Sequence, residues 1–302
     1  PSLSAGSYAI TVQATDTAGN AGPASTTLNI VVDQTAPTTL ARPDLLTASD
    51  TGSSSTDNIT NASTQSFSSL ATVGDTVSIL VNGVTVGTAT PDAGGTWSFS
   101  TSLSSGSYAI TAVATDTAGN TGPASAALNI VVDQTAPTTL AAPDLLAASD
   151  TGSSNTDNIT NASTQSFSGS ATTGDTVNVL VGGVTVGSVT AAGGSWSFAT
   201  SLAAGSYAIT VQATDAAGNA GPASSTLGLT VDQTAPTTLE APDLLAASDL
   251  GVSSTDNITS SATQQLSGSA GTGDTVSILV GGTTLQTVTA AGGSWSYTAT
   301  LS

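Results

Sequence analysis

The pentapeptide Asp-Gln-Thr-Ala-Pro occurs three times, at Asp33–Pro37, Asp133–Pro137 and Asp232–Pro236, spaced 100 and then 99 residues apart. Each copy follows a run of apolar β-formers (Leu28–Val32, Leu128–Val132, Leu227–Val231) and precedes a loop rich in Asp, Ser, Thr and Asn. A fixed period of this length means one structural unit used again and again, with the pentapeptide as the joint. On this period residues 1–33 are the back of a unit, 34–133 and 134–232 are whole units, and 233–302 is the front of another. Both ends fall inside a repeat, which suggests an excerpt of a longer protein.

Within 134–232, β-forming runs recur at short intervals between Gly-rich turns, the pattern of an all-β sandwich. Expected strands surround Leu140–Ala147 (with Pro143 as an edge or kink), then Gln165–Ser170, Thr176–Val181, Val184–Thr190, Trp196–Thr200, Tyr207–Thr214 and Ser225–Val231. Gly182-Gly183 reads as a tight hairpin turn. Tyr207, Ile209, Val211 and Ala213 alternate with Ala208, Thr210, Gln212 and Thr214, so one face is apolar. No useful helical periodicity occurs. The expected fold is all-β: tandem immunoglobulin-like β-sandwich domains of about seven strands each, in a linear array.

Charge narrows the function. There are 20 acidic residues against one basic residue and no His, a net charge of −19, yet only 7% of residues are charged. Such a surface repels nucleic acid and anionic lipid, while the β-branched runs argue against a disordered acidic tail. No apolar run is long enough for direct membrane insertion, and no targeting signal is visible. Without Cys, disulfides cannot hold the array, which leaves metal as the candidate cross-link. Without His, Lys or Cys, no proton-transfer or nucleophile–base pair for near-neutral pH can be drawn, and every Asp site recurs with the repeat. An enzyme is not expected.

Trp97, Trp196 and Trp295 fit either sugar-stacking platforms or core tryptophans. The core reading is preferred, because Phe99, Phe198 and Tyr297 follow at same-face spacing. Tyr8, Tyr108 and Tyr207, each in Gly-Ser-Tyr at a strand start, fit a tyrosine corner.

Up-and-down strand traversal puts the loop after the first strand at the bottom of a unit and the loop before the last strand at its top. At the joint between the whole repeats, Asp50, Asp57 and Asn58 (bottom loop), Asp133 (linker) and Asp215 with Asn219 (top loop of the next unit) are expected to converge. Clustered bare carboxylates repel. A hard cation reverses the sign, and Ca²⁺ accepts about 6–8 oxygen ligands of the kinds Asp, Asn and Thr supply. Without His or Cys, zinc and copper sites are excluded on ligand grounds. The alternative is that these residues only make turns.

The Val-Asp-x-Thr-Ala-Pro joint, the Thr-Asp-x-Ala-Gly-Asn loop and the Gly-Ser-Tyr-x-Ile-Thr strand together resemble bacterial Ig-like repeats of giant biofilm-associated and RTX-type surface adhesins. The resemblance spans the chain. It implies a non-enzymatic, extracellular extender region on a bacterial surface or in a biofilm matrix, stiffened by calcium at domain junctions. It further implies metal-ligating roles for Asp33, Asp133 and Asp232 in linkers, and for Asp50, Asp57, Asn58, Asp150, Asp157, Asn158, Asp249, Asp256 and Asn257 in bottom loops. In top loops it implies Asp16, Asn20, Asp116, Asn120, Asp215 and Asn219. The last bottom loop departs from the pattern at Leu250 and Val252. Asp75, Asp175 and Asp274 are lesser ligand candidates, and the Asn58, Asn158 and Asn257 sequons are read as cation loops rather than glycosylation sites. Expected partners are neighbouring repeats of the same protein. The alternative is a fibre in which end pieces are completed head-to-tail by neighbouring chains.

Overall fold

A computed structural model describes residues 2–300. The chain forms two compact units, 1–231 and 232–302.

In the first unit an antiparallel hairpin pairs β1 (Gly6–Ile10) with β2 (Leu28–Val32). A complete sandwich follows: β3 (Asp44–Leu45), β4 (Ile59–Thr60), β5 (Gln65–Leu70), β6 (Thr76–Val81), β7 (Val84–Ala89), β8 (Thr96–Thr101), β9 (Gly106–Thr115) and β10 (Leu128–Val132). Its sheets run β3-β5-β8 and β4-β10-β9-β6-β7. The same plan recurs in β11 (Asp144–Leu145), β12 (Ile159–Thr160), β13 (Gln165–Ser170), β14 (Thr176–Val181), β15 (Val184–Thr190), β16 (Ser195–Thr200), β17 (Gly205–Thr214) and β18 (Leu227–Val231).

The second unit contains β19 (Asp243–Leu244), β20 (Gln264–Ser269), β21 (Thr275–Val280), β22 (Thr283–Thr289) and β23 (Ser294–Ala299). They form a three-stranded sheet β19-β20-β23 and the pair β21-β22.

Period-two alternation builds the core. Ile209 and Val211 of β17 are buried against Val177 and Val179 of β14, Phe167, Trp196, Leu229 and Val231, and Ala213 is buried as well. Trp97, Trp196 and Trp295 are 0%, 4% and 7% exposed, so none can serve as a sugar-stacking platform. Each corner tyrosine donates its hydroxyl to the carbonyl four residues back: Tyr8 to Ser4, Tyr108 to Ser104 and Tyr207 to Ala203, all at 2.9 Å.

Two features depart from the expected strands. The run around Leu140–Ala147 yields only the two residues of β11, because Pro143 lacks a ladder donor and Leu146–Asp150 turn back on themselves, Asp150 N–H reaching Leu146 O at 3.0 Å. The run Ile159–Thr160, read as part of a loop, pairs parallel with β18. Each complete sandwich therefore has eight strands, and its traversal is not purely up-and-down.

Candidate functional site

The pentapeptide is held at both ends by the repeat that follows it. Asp133 turns the chain by accepting the Thr135 N–H on Oδ1 (2.9 Å). Its main-chain carbonyl accepts the Asn219 amide at 2.8 Å. Farther on, the Pro137 carbonyl lies where a Cβ on Gly221 would stand 2.5 Å away, so only glycine lets the two loop segments pass this close. The first copy is built alike: Thr35 N–H to Asp33 Oδ1 at 2.9 Å, Asn120 Nδ2 to Asp33 O at 3.1 Å, and Pro37 O against Gly122. In the third copy Asp232 makes the same turn with Thr234 (2.9 Å).

The top loop is a carboxylate clasp. Asp215 Oδ1 accepts Asn219 N–H and Oδ2 accepts Asn219 Nδ2, both at 2.9 Å. Asp16 with Asn20 and Asp116 with Asn120 repeat it. The asparagine side-chain bond holds the Asp16 and Asp116 carboxyls below the usual carboxylate range. Burial, and then the Asp215 charge, push Asp175 up.

The bottom loop is built around a buried carboxylate. Asp50 is 4% exposed; its Oδ2 accepts Asn58 N–H at 3.2 Å, while its Oδ1 is buried without a donor. Burial raises its pKa, and the charges of Asp57 and Asp44 add to the rise. Asn58 takes φ +61°, a left-handed conformation that asparagine tolerates, and Asp57 Oδ1 caps Ile59 N–H at 3.0 Å. Asp150 and Asp249 repeat the arrangement: Oδ2 meets Asn158 or Asn257 N–H at 3.2 and 3.1 Å, and Oδ1 is buried without a donor. Asp157 and Asp256 cap Ile159 and Ile258 as Asp57 caps Ile59.

Bottom and top loops meet between the two complete sandwiches. Ser53 N–H donates to Ala216 O at 3.1 Å, with the Ser53 hydroxyl 3.4 Å from the same oxygen. Gln134 Nε2 reaches back to Ala62 O at 3.2 Å. Asp50, Asp57 and Asn58 thus form one group, and Asp133, Asp215 and Asn219 another. Among the described residues no three acidic side chains come within joint reach of one ion. The donor set that fits a hard cation is the buried, donor-free Oδ1 of Asp50, Asp150 or Asp249, with neighbouring Asp, Asn and main-chain oxygens.

Some residues that shape the site were not singled out from the sequence. Buried Gln65 donates to Ala62 O and accepts Leu103 N–H at 2.9 Å, and Thr60 Oγ1 donates to Ser49 O at 2.6 Å. Their recurrence as Gln165 and Thr160 was the available signal.

The family model for the bacterial Ig-like domain matches residues 37–134, 136–233 and 236–302. The chain belongs to the bacterial Ig-like domain family. No curated protein sequence matches it. Among solved structures, the bacterial Ig-like repeats are similar to the fibronectin(III)-like modules of Clostridium thermocellum CbhA. That match has 18% identity and TM-score 0.38, and covers 63% of this chain and 94% of that one. The chicken CNTN1 FN1–FN3 domains match at 18% identity and TM-score 0.40, over 74% and 75%. A biofilm-associated protein BSP domain matches at 24% identity and TM-score 0.22, over 59% of this chain and 29% of that one. Ig-like domains are typically structural, non-catalytic modules.

Proposed function

We propose that the bacterial Ig-like repeats form a non-enzymatic spacer of an extracellular bacterial adhesin, at the cell surface or in the biofilm matrix, whose joints bind Ca²⁺. The observation that carries the reading is the buried Asp50 Oδ1 without a donor, reproduced at Asp150 and Asp249; Asp50 lies three residues from Ser53, which contacts the next repeat. A buried carboxylate oxygen without a donor is costly, and a cation relieves that cost. Asp50 with Asp57 and Asn58 would hold it on the bottom loop, and their equivalents would do so in the other repeats; Asp133, Asp215 and Asn219 border the same joint. Bound Ca²⁺ supplies charge neutralisation and cross-bridging of oxygen ligands; binding to the ordered loop favours that state by mass action. Small-angle scattering in millimolar calcium and in chelator tests it: the maximum dimension should be larger and better defined with calcium, and identical curves reject the calcium joint.

A further inference from the structure

The contact between bottom and top loops is main chain against main chain. Gly52 takes φ +123°, and a Cβ there would overlap the Ala216 carbonyl oxygen and stand 2.9 Å from the Ala217 carbonyl carbon. Reciprocally, a Cβ on Gly218 (φ +92°) would stand 3.0 Å from Gly52 Cα and 3.3 Å from Gly52 N. Two glycines therefore face each other with no room for any side chain, and Ala217 is buried behind them. This closeness lets Ser53 N–H reach Ala216 O. The equivalent Gly152 and Gly251 lie outside this left-handed region, and a Cβ on either would meet its own loop at the Ile159 or Ile258 carbonyl.

We propose that Gly52 and Ser53, with Ala216–Gly218, form a docking surface that sets which repeat can follow which, and that it locks the joint by direct main-chain contact without a cation. The partner it fits is a repeat whose top loop reads Asp-x-Ala-Gly-Asn. The third bottom loop carries Leu250 and Val252 where this one has Thr51 and Ser53, with Leu250 53% and Val252 108% exposed. It presents aliphatic side chains where the docked loop presents small polar ones, so it does not fit an Asp-x-Ala-Gly-Asn top loop in the same way. The proposal deepens the spacer reading and rests on it for its biological consequence; the contact itself stands apart from calcium.

The test is hydrogen exchange of the intact chain in chelator and in calcium. The Ser53 amide has its acceptor across the joint, so its protection reports docking. It should be protected in both conditions. Gly52→Val should lower that protection at least about tenfold, together with the protection of residues 215–219. Thr51→Leu with Ser53→Val, which imports the third loop's residues, should do the same. Unchanged tryptophan-detected melting shows that the sandwiches stay folded. A protected Ser53 amide in Gly52→Val overturns the proposal. Protection seen only in calcium overturns the cation-free lock while leaving the calcium joint standing. Protection in both conditions with identical scattering curves rejects the calcium joint alone.

Discussion

The Asn219 side-chain amide donates to the Asp133 main-chain carbonyl at 2.8 Å, joining the top loop of one repeat to the linker that enters it. The same asparagine closes the Asp215 clasp, so one side chain sets both the loop shape and the entry angle of the chain. Replacing Asn219 by Ala removes both bonds at a cost of about 1–2 kcal/mol. The loss should appear as faster exchange of the 215–219 amides and easier proteolysis near 133–137, with the melting of the 34–133 sandwich unchanged.

Asp50 gives a pH signature with a definite sign. Its folded pKa is raised, so in chelator its contribution to stability is fully present below the ordinary Asp value of about 3.9 and is lost as pH rises through the raised value. Asp116 acts oppositely: its pKa is lowered, so its contribution is present above the ordinary value and is lost as pH falls through the lowered one. In chelator the two contributions therefore oppose one another, that of Asp50 falling as pH rises above the ordinary Asp value and that of Asp116 falling as pH drops below it. In millimolar calcium the sign at Asp50 reverses, because a ligating carboxylate must be ionised. The triple variant Asp50→Asn, Asp150→Asn, Asp249→Asn should melt higher than the parent in chelator and lose its response to calcium, as read by calorimetry.

Gly87 and Gly187 sit under aromatic rings. A Cβ on Gly87 would overlap Phe99 Cε2 and stand 2.6 Å from Cζ, and Gly187 meets Phe198 in the same way. Gly87→Ala should cost about 1–3 kcal/mol through displacement of the ring. Gln286, paired with Ile278, occupies the matching position in the second unit, where Tyr297 stands in sequence in place of Phe99 or Phe198. Gln286→Ala should therefore be close to neutral in chemical denaturation.

The tyrosine corners predict a modest, uniform effect. Tyr108→Phe and Tyr207→Phe each delete one hydroxyl-to-carbonyl bond of 2.9 Å and should each cost about 1 kcal/mol by denaturant titration.

Proteolysis offers a check on composition. Arg42 is the only basic residue and Pro43 follows it, so trypsin should leave the chain intact even in denaturant, as read by mass spectrometry.

The sequence by itself determined the period, the class of fold and most strand limits. Alternation in Tyr207–Thr214 and the Gly182-Gly183 turn report local backbone geometry, which depends on neighbours a few residues away. It also located the loops that meet, since Asp50–Asn58 and Asp215–Asn219 lie at opposite ends of a repeat. What the tertiary structure alone decided is which atoms meet. That Asp133 engages through its carbonyl while its carboxylate makes a local turn, that Asp50 is buried with an unmatched oxygen, and that Gly52 faces Gly218 all depend on contacts between residues far apart in the chain. A glycine reads the same in sequence whether it spans a turn or admits a neighbour's backbone; only the packed neighbour tells the two apart.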